Sequence, residues 1–200
     1  MNGRTHEAVG IASVMVAMHS APTKDMLIGC LIASAASVIP DVDLIDNRKG
    51  EGIQMLVEVV KQSLVPICLG LAYGAKKEWI LAWLVSMVFL VIQPHRGFSH
   101  SVWCMFSTTC LMAVMTEAKL AVPYCIAYAS HIVLDVMNTK KVSILYPYGF
   151  CMGWCKSGGK ADWMFGAMAS LVIITIMASR TYQTDLVSMG IEEVVRLMGK

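Results

Sequence analysis

The sequence predicts an all-α fold, a polytopic transmembrane bundle of about five to seven short helices with a C-terminal interfacial helix. Three observations carry this expectation. The 200-residue chain is 56% hydrophobic, with a mean hydropathy of +0.62. Only 15% of its residues are charged, against about 25% in soluble domains. Its apolar residues also gather into separate stretches broken by short polar turns. The length fits one integral membrane unit over residues 1–182, followed by an amphipathic tail over 183–200.

The stretches run from Ala8 to His19, Met26 to Pro40, Met55 to Ala75, Trp79 to Gln93, Ser101 to Met115, Leu120 to Met137 and Met164 to Ser179. Most fall short of the ~20 residues that cross a bilayer core, so tilted or half-buried segments are expected among them. In the third, Ile53, Leu56, Val57, Val60 and Leu64 form a stripe opposite Glu58 and Lys61. That pattern suits a helix that starts along the interface before descending. Two long loops are polar, Asp41 to Gly52 and the glycine-rich Thr139 to Ala161. In the tail, Val187, Ile191, Val194, Val195 and Met198 share a face opposed by Glu192, Glu193 and Arg196, an anchoring pattern. The amino terminus is expected to be retained, because Ser20-Ala21-Pro22 is a weak cleavage site.

The net charge of +2 and the lack of basic runs interleaved with aromatics argue against nucleic acid as a partner. The lipid bilayer is the partner the composition implies, and the oligomeric state is not legible. Five of the seven cysteines (Cys30, Cys68, Cys104, Cys110 and Cys125) lie in apolar stretches and read as small buried hydrophobes. Cys151 and Cys155 sit four apart in a loop and could bind metal or pair, but no second pair completes a zinc set. The 16 methionines read as core filler.

Ionisable groups are costly in a membrane protein, so their positions carry information. They occur at His6, at Asp41 and Asp43, at His95, Arg96 and His100, at His131 with Asp135, and at Asp162. If every stretch crosses, all of these groups fall on the amino-terminal side, and a shared site follows. Nine of the 16 Lys/Arg then lie on that side and seven on the other. The positive-inside rule turns the site side toward the cytoplasm.

His131 and Asp135 stand four apart and project from one helix face, which suits two ligands to one metal or a histidine oriented by a carboxylate. The plainer alternative is a hydrogen-bonded pair joining two helices. His95 and His100 flank Gly97, which permits close backbone approach, and Arg96 could clamp an anionic oxygen. Pro40-Asp41-Val42-Asp43 ends an apolar helix, where a solvated capping turn is the competing explanation. His6 follows Thr5 at a helix start, and Thr5 capping would equally explain the local polarity. His19 has no partner in sequence and reads as interfacial. Imidazoles and carboxylates without thiolates point to a divalent metal, zinc before manganese or iron. The count of candidate ligands also leaves room for a two-metal site, for which hydrolysis is the natural reaction.

At these residues the chain resembles the LexA-regulated, membrane-bound metal-dependent hydrolase family of bacterial inner membranes. The likeness rests on Thr5-His6, on Pro40 to Asp43, and on the His-Arg-Gly-x-Ser-His-Ser block from His95 to Ser101. It continues through Ser130, His131, Asp135 and Thr139 to Leu145-x-Pro147. The resemblance carries over His6, Asp41, Asp43, His95, His100, His131 and Asp135 as site residues; His6, His95, His100, His131 and Asp135 are expected as metal ligands, with Asp41 or Asp43 as a ligand or general base. Asp162 stands where that family often carries a glycine-rich stretch and Glu. Ser99 replaces the usual Thr, and Lys140-Lys141 replaces small residues. A fainter likeness to zinc-dependent phospholipases C suggests a phosphodiester or phospholipid substrate, and an expected site at headgroup level suggests a lipid or lipid-linked phosphate ester. The rival expectation is a non-enzymatic transporter or metal-binding membrane protein, whose ionisable groups would line a path at several depths.

Overall fold

A computed structural model describes residues 1–43, 51–93 and 96–182, with the backbone alone for residues 42–43, 51–56 and 58. Each apolar stretch forms a helix: α1 (Gly3–Ala17), α2 (Thr23–Ala36), α3 (Glu51–Ala72), α4 (Lys77–Val91), α5 (Val102–Met115), α6 (Ala118–Val136) and α7 (Lys160–Thr181). Single 3-10 turns follow α2 (Ile39–Asp43) and precede α5 (Phe98–His100). The boundaries have local causes. Pro22 precedes α2, whose first turn carries Asp25 at the positive end of the helix dipole. Ser101 caps α5 by accepting from the Cys104 amide at 3.2 Å. Gly74, at φ +74°, turns the chain between α3 and α4, where few other residues fit.

α6 is the hub. It packs against α1, α2 and α5 and buries eleven side chains, among them Tyr124, Tyr128, His131 and Asp135. α7 lies against α1, and α3 pairs with α4. Gly10 lets α1 and α2 approach closely, since a Cβ there would lie 2.7 Å from Ser37 Cβ. Large apolar side chains cover much of the outer surface: Leu31, Leu64, Leu81, Phe106, Leu171 and Ile174 are all more than half exposed. Among the described residues, two segments are long and apolar enough to cross a membrane by length and composition, Thr23–Asp41 and Lys160–Thr181.

The all-helical expectation needs one correction. Inside the loop from Thr139 to Ala161, β1 (Val142–Leu145) and β2 (Tyr148–Phe150) form an antiparallel hairpin closed at Tyr146-Pro147. Val142 and Ile144 are β-branched, and Tyr148 and Phe150 are aromatic, so both strands have the composition a pleated ribbon favours. The surrounding glycines and lysines masked that signal. The predicted C-terminal interfacial helix lies outside the described residues.

Candidate metal centre

Four elements bring the polar residues to one end of the bundle. The α1 first turns carry His6, and α6 ends with His131 and Asp135 on a single face. Pro40 cannot continue α2, and the 3-10 turn that replaces it presents Asp41. Before α5, Arg96 takes a left-handed backbone conformation (φ +64°), and the turn after Gly97 delivers His100, which is fully buried.

Asp41, His100, His131 and Asp135 each offer one ligand atom, all within 4.8 Å of one another. His100 Nε2 lies 3.4 Å from Asp41 Oδ1 and 3.2 Å from Asp135 Oδ2. His131 Nε2 lies 3.7 Å from Asp41 Oδ1 and 3.8 Å from Asp135 Oδ2. An ion with bonds of ~2.0–2.1 Å to N and O in a tetrahedron sets its ligand atoms about 3.3 Å apart. Those four separations are close to that edge, so the group has the dimensions to hold a metal ion.

The imidazole orientation points the same way. His131 Nδ1 is 2.6 Å from the Ser37 carbonyl oxygen, which can only accept, so Nδ1 donates. In the neutral ring this leaves the Nε2 lone pair facing Asp41 and Asp135. That atom is buried with no hydrogen-bond partner among the described residues. A buried, unsatisfied acceptor is costly unless something completes it. Histidine ligands to metals ordinarily hold the second ring nitrogen on a carbonyl or carboxylate, as Ser37 does for His131.

Asp135 is the electrostatic centre. Its Oδ1 lies 3.0 Å from the Met1 amine and 3.3 Å from His6 Nε2. Its Oδ2 faces His100, His131 and, at 3.5 Å, the Arg96 guanidinium. His6 stacks on His131 with ring centroids 3.8 Å apart, beside the four-atom group and not within it. Arg96 also donates to the Lys140 carbonyl (3.2 Å), and its own carbonyl accepts from the Ser143 amide, so the hairpin braces this turn.

The sequence-predicted residues therefore divide. His6, Asp41, Arg96, His100, His131 and Asp135 come together. His95 lies outside the described residues, as does the Asp43 side chain, although the Asp43 backbone closes the turn after Asp41. Asp162 is buried elsewhere, where its carboxylate accepts from the amides of Asn2 (3.0 Å) and Gly158 (2.7 Å) and anchors the start of α7. Cys151 and Cys155 are free thiols in no metal-sized group among the described residues. His19 is exposed at the far end of α1, within 3.0 Å of Ser20 Oγ.

Two residues that sequence reasoning passed over support the cluster. Ser37 contributes a backbone carbonyl, which no side-chain motif announces. Tyr128 donates to the Ser99 carbonyl at 2.5 Å and fixes the turn that carries His100. Its one sequence signal is its place about a turn before His131.

Comparison with known proteins agrees on location. No curated protein and no solved structure matches the chain. A family model described as YdjM inner membrane protein matches residues 1–191. The chain, with its apolar exterior and its buried Asp/His group, belongs to the YdjM inner membrane protein family and is a bacterial inner membrane protein.

Proposed function

We propose that the protein is a metal-dependent hydrolase acting on a lipid or other phosphate ester at one face of a polytopic helical bundle. The observation that carries this is the buried group of Asp41, His100, His131 and Asp135, with ligand atoms at metal-sized separations. The motif likeness to the LexA-regulated membrane-bound hydrolases supports it from the sequence side. Nitrogen and oxygen donors without thiolate favour zinc, with manganese or iron as alternatives. Such an ion, when bound, polarises a phosphoryl or acyl oxygen and eases deprotonation of water.

The chain's own residues supply the rest. Ser37 orients His131, and Tyr128 holds the His100 turn. Asp41 is the most exposed of the four, its side chain 17% accessible, which puts it where substrate and water arrive. Asp43 is proposed as a general base, with His6 and His95 as further ligands should a second ion bind. Arg96, 14% accessible, would hold the anionic oxygen of the substrate through its fork of N–H donors. Alternation of the helices supports the topology. The cluster occupies one end, whereas at the opposite end Arg180 of α7 donates to the His19 and Ala21 carbonyls after α1. The positive-inside count, nine Lys/Arg against seven, favours a cytoplasmic cluster end.

Metal analysis of the purified protein, followed by a phosphate-ester screen with added zinc or manganese, tests this reading. Bound metal and turnover are expected, with turnover lost in His131→Ala and Asp135→Ala while the fold persists. A preparation holding no stoichiometric metal, with thermal stability indifferent to chelator, would refute it.

A further inference from the structure

A cavity of about 420 Å³ opens between α1, α2 and α3, and Asp41 forms part of its wall. The metal-sized group therefore reaches the outside through this cavity on its most exposed member. The lining has two characters. Lys61 and Gln62 of α3 face Glu7 and Ser34 across it, while Ala35, Val38 and Val65 form an apolar part and Met1 and Gly3 complete the wall with Asp41. The Ser34 hydroxyl donates to Glu7 Oε1 at 2.5 Å, which holds that carboxylate against α2. One helical turn from Ser34 and from Lys61, the side chains of Leu31 and Leu64 are 59% and 58% exposed. A polar pocket with a cation and a metal-sized group on one side and exposed leucines beside it has the two-sided chemistry of an amphiphile.

We propose that this cavity is the substrate seat: a phospholipid enters sideways between α2 and α3, and its phosphate settles between Lys61 and the Asp41 end of the cluster. The inference rests on the hydrolase reading above and adds the narrower substrate class, the entry route and, besides Arg96 at the cluster, a second cation for the headgroup phosphate. Lys61 supplies an ammonium donor that a phosphate accepts as a point charge. Val38 and Val65 border the start of the acyl chain, where contact with apolar surface outweighs contact with water. An inorganic phosphate offers the same charge without the chain, so it would occupy the polar half alone.

Native mass spectrometry of the detergent-solubilised full-length protein, with and without zinc, tests the proposal against two probes, dihexanoyl phosphatidic acid and inorganic phosphate. The lipid is expected to bind at one copy per chain, at least about tenfold more tightly than phosphate, as burial of even a few methylenes dictates. Lys61→Gln is expected to weaken the lipid about tenfold, as the loss of one charge-assisted contact does. Ala35→Trp, which fills the cavity, should abolish lipid binding while zinc stoichiometry stays at the wild-type value. Equal binding of phosphate and lipid, or undiminished lipid binding in both variants, would overturn the proposal. Lipid binding that follows Lys61 and Ala35 in a protein that takes up no zinc would keep the cavity assignment and defeat the hydrolase reading instead.

Discussion

Gly10→Ala should weaken metal binding without touching a ligand. The added Cβ would lie 2.7 Å from Ser37 Cβ, whereas carbon atoms rest at ~3.5–4.0 Å. Relief requires α1 and α2 to separate by about 1 Å at this level. Ser37 carries the carbonyl that holds His131 Nδ1 at 2.6 Å. A shift of that size stretches the contact toward ~3.6 Å, beyond hydrogen-bond range. Loss of the partner that orients a ligating histidine costs about 10–100-fold in metal affinity, or ~1.4–2.8 kcal/mol. Overpacking adds a stability cost of ~1–3 kcal/mol, offset in part by the ~1 kcal/mol helix preference of Ala over Gly. The zinc-free protein should therefore melt within a few degrees of wild type. Zinc affinity would be read by competition with a chromophoric chelator, with zinc-free melting as the stability control. Gly166→Ala is the matched substitution, since its Cβ would meet only Thr5 Oγ1 at an ordinary 3.6 Å. Wild-type zinc affinity in Gly10→Ala, or an equal loss in Gly166→Ala, would refute the claim that Ser37 positions His131.

Two further substitutions probe the surroundings. Tyr128→Phe removes the hydroxyl that donates to the Ser99 carbonyl and should cost about 1–3 kcal/mol. At ~2–4 °C per kcal/mol for a chain of this size, the melting temperature should fall by several degrees, and an unchanged melt would show that the turn needs no such tether. Arg96→Ala should raise KM for phosphate esters about tenfold with little change in kcat, and Arg96→Lys should restore part of it. A loss confined to kcat would mean that Arg96 acts through Asp135 and not on substrate.

The helices were legible because composition breaks at physical stops. Trp79 to Gln93 was delimited by Lys76-Lys77 before it and Pro94 after it, and α4 runs over Lys77–Val91. Where only a small polar residue such as Ser37 marks a change, the sequence misleads. The run from Met26 to Pro40 reads as one helix, yet the α ladder stops at Ala36 and the chain tightens into a 3-10 turn. The third helix starts at Glu51, two residues before the Ile53 that opens the expected stripe, because Glu51 and Gly52 read as the end of the polar loop. At the site, His100, His131 and Asp135 stood out as ionisable residues in apolar surroundings. Ser37 and Tyr128 did not, since a backbone carbonyl and a core tyrosine have ordinary neighbours. Lys61 was read as the polar side of an interfacial stripe, and only the packing of α2 on α3 shows it lining a cavity.

Helix length and the position of the cluster are linked. α1 and α4 have 15 residues and α2 and α5 have 14, or about 21–22 Å at 1.5 Å per residue, against a bilayer core of ~30 Å. α3 and α7 have 22 residues and reach about 33 Å. In the proposed bundle the shortfall falls at the cluster end, where α2 and α5 meet 3-10 turns in place of further helix. Irregular backbone at membrane depth survives only inside protein or along a polar cavity. Both turns meet that condition. The Asp41 amide donates to the Val38 carbonyl and the His100 amide to Gly97, while Tyr128 completes the Ser99 carbonyl. In that bundle, stopping the helices early would let Asp41 and His100, carried on turns, sit below the membrane surface and still face His131 and Asp135 on α6. A continuous α2 would carry Asp41 away along its own axis and leave no opening beside α3. The same shortening that makes single helices hard to recognise as spans creates the recess in which a headgroup could meet the cluster.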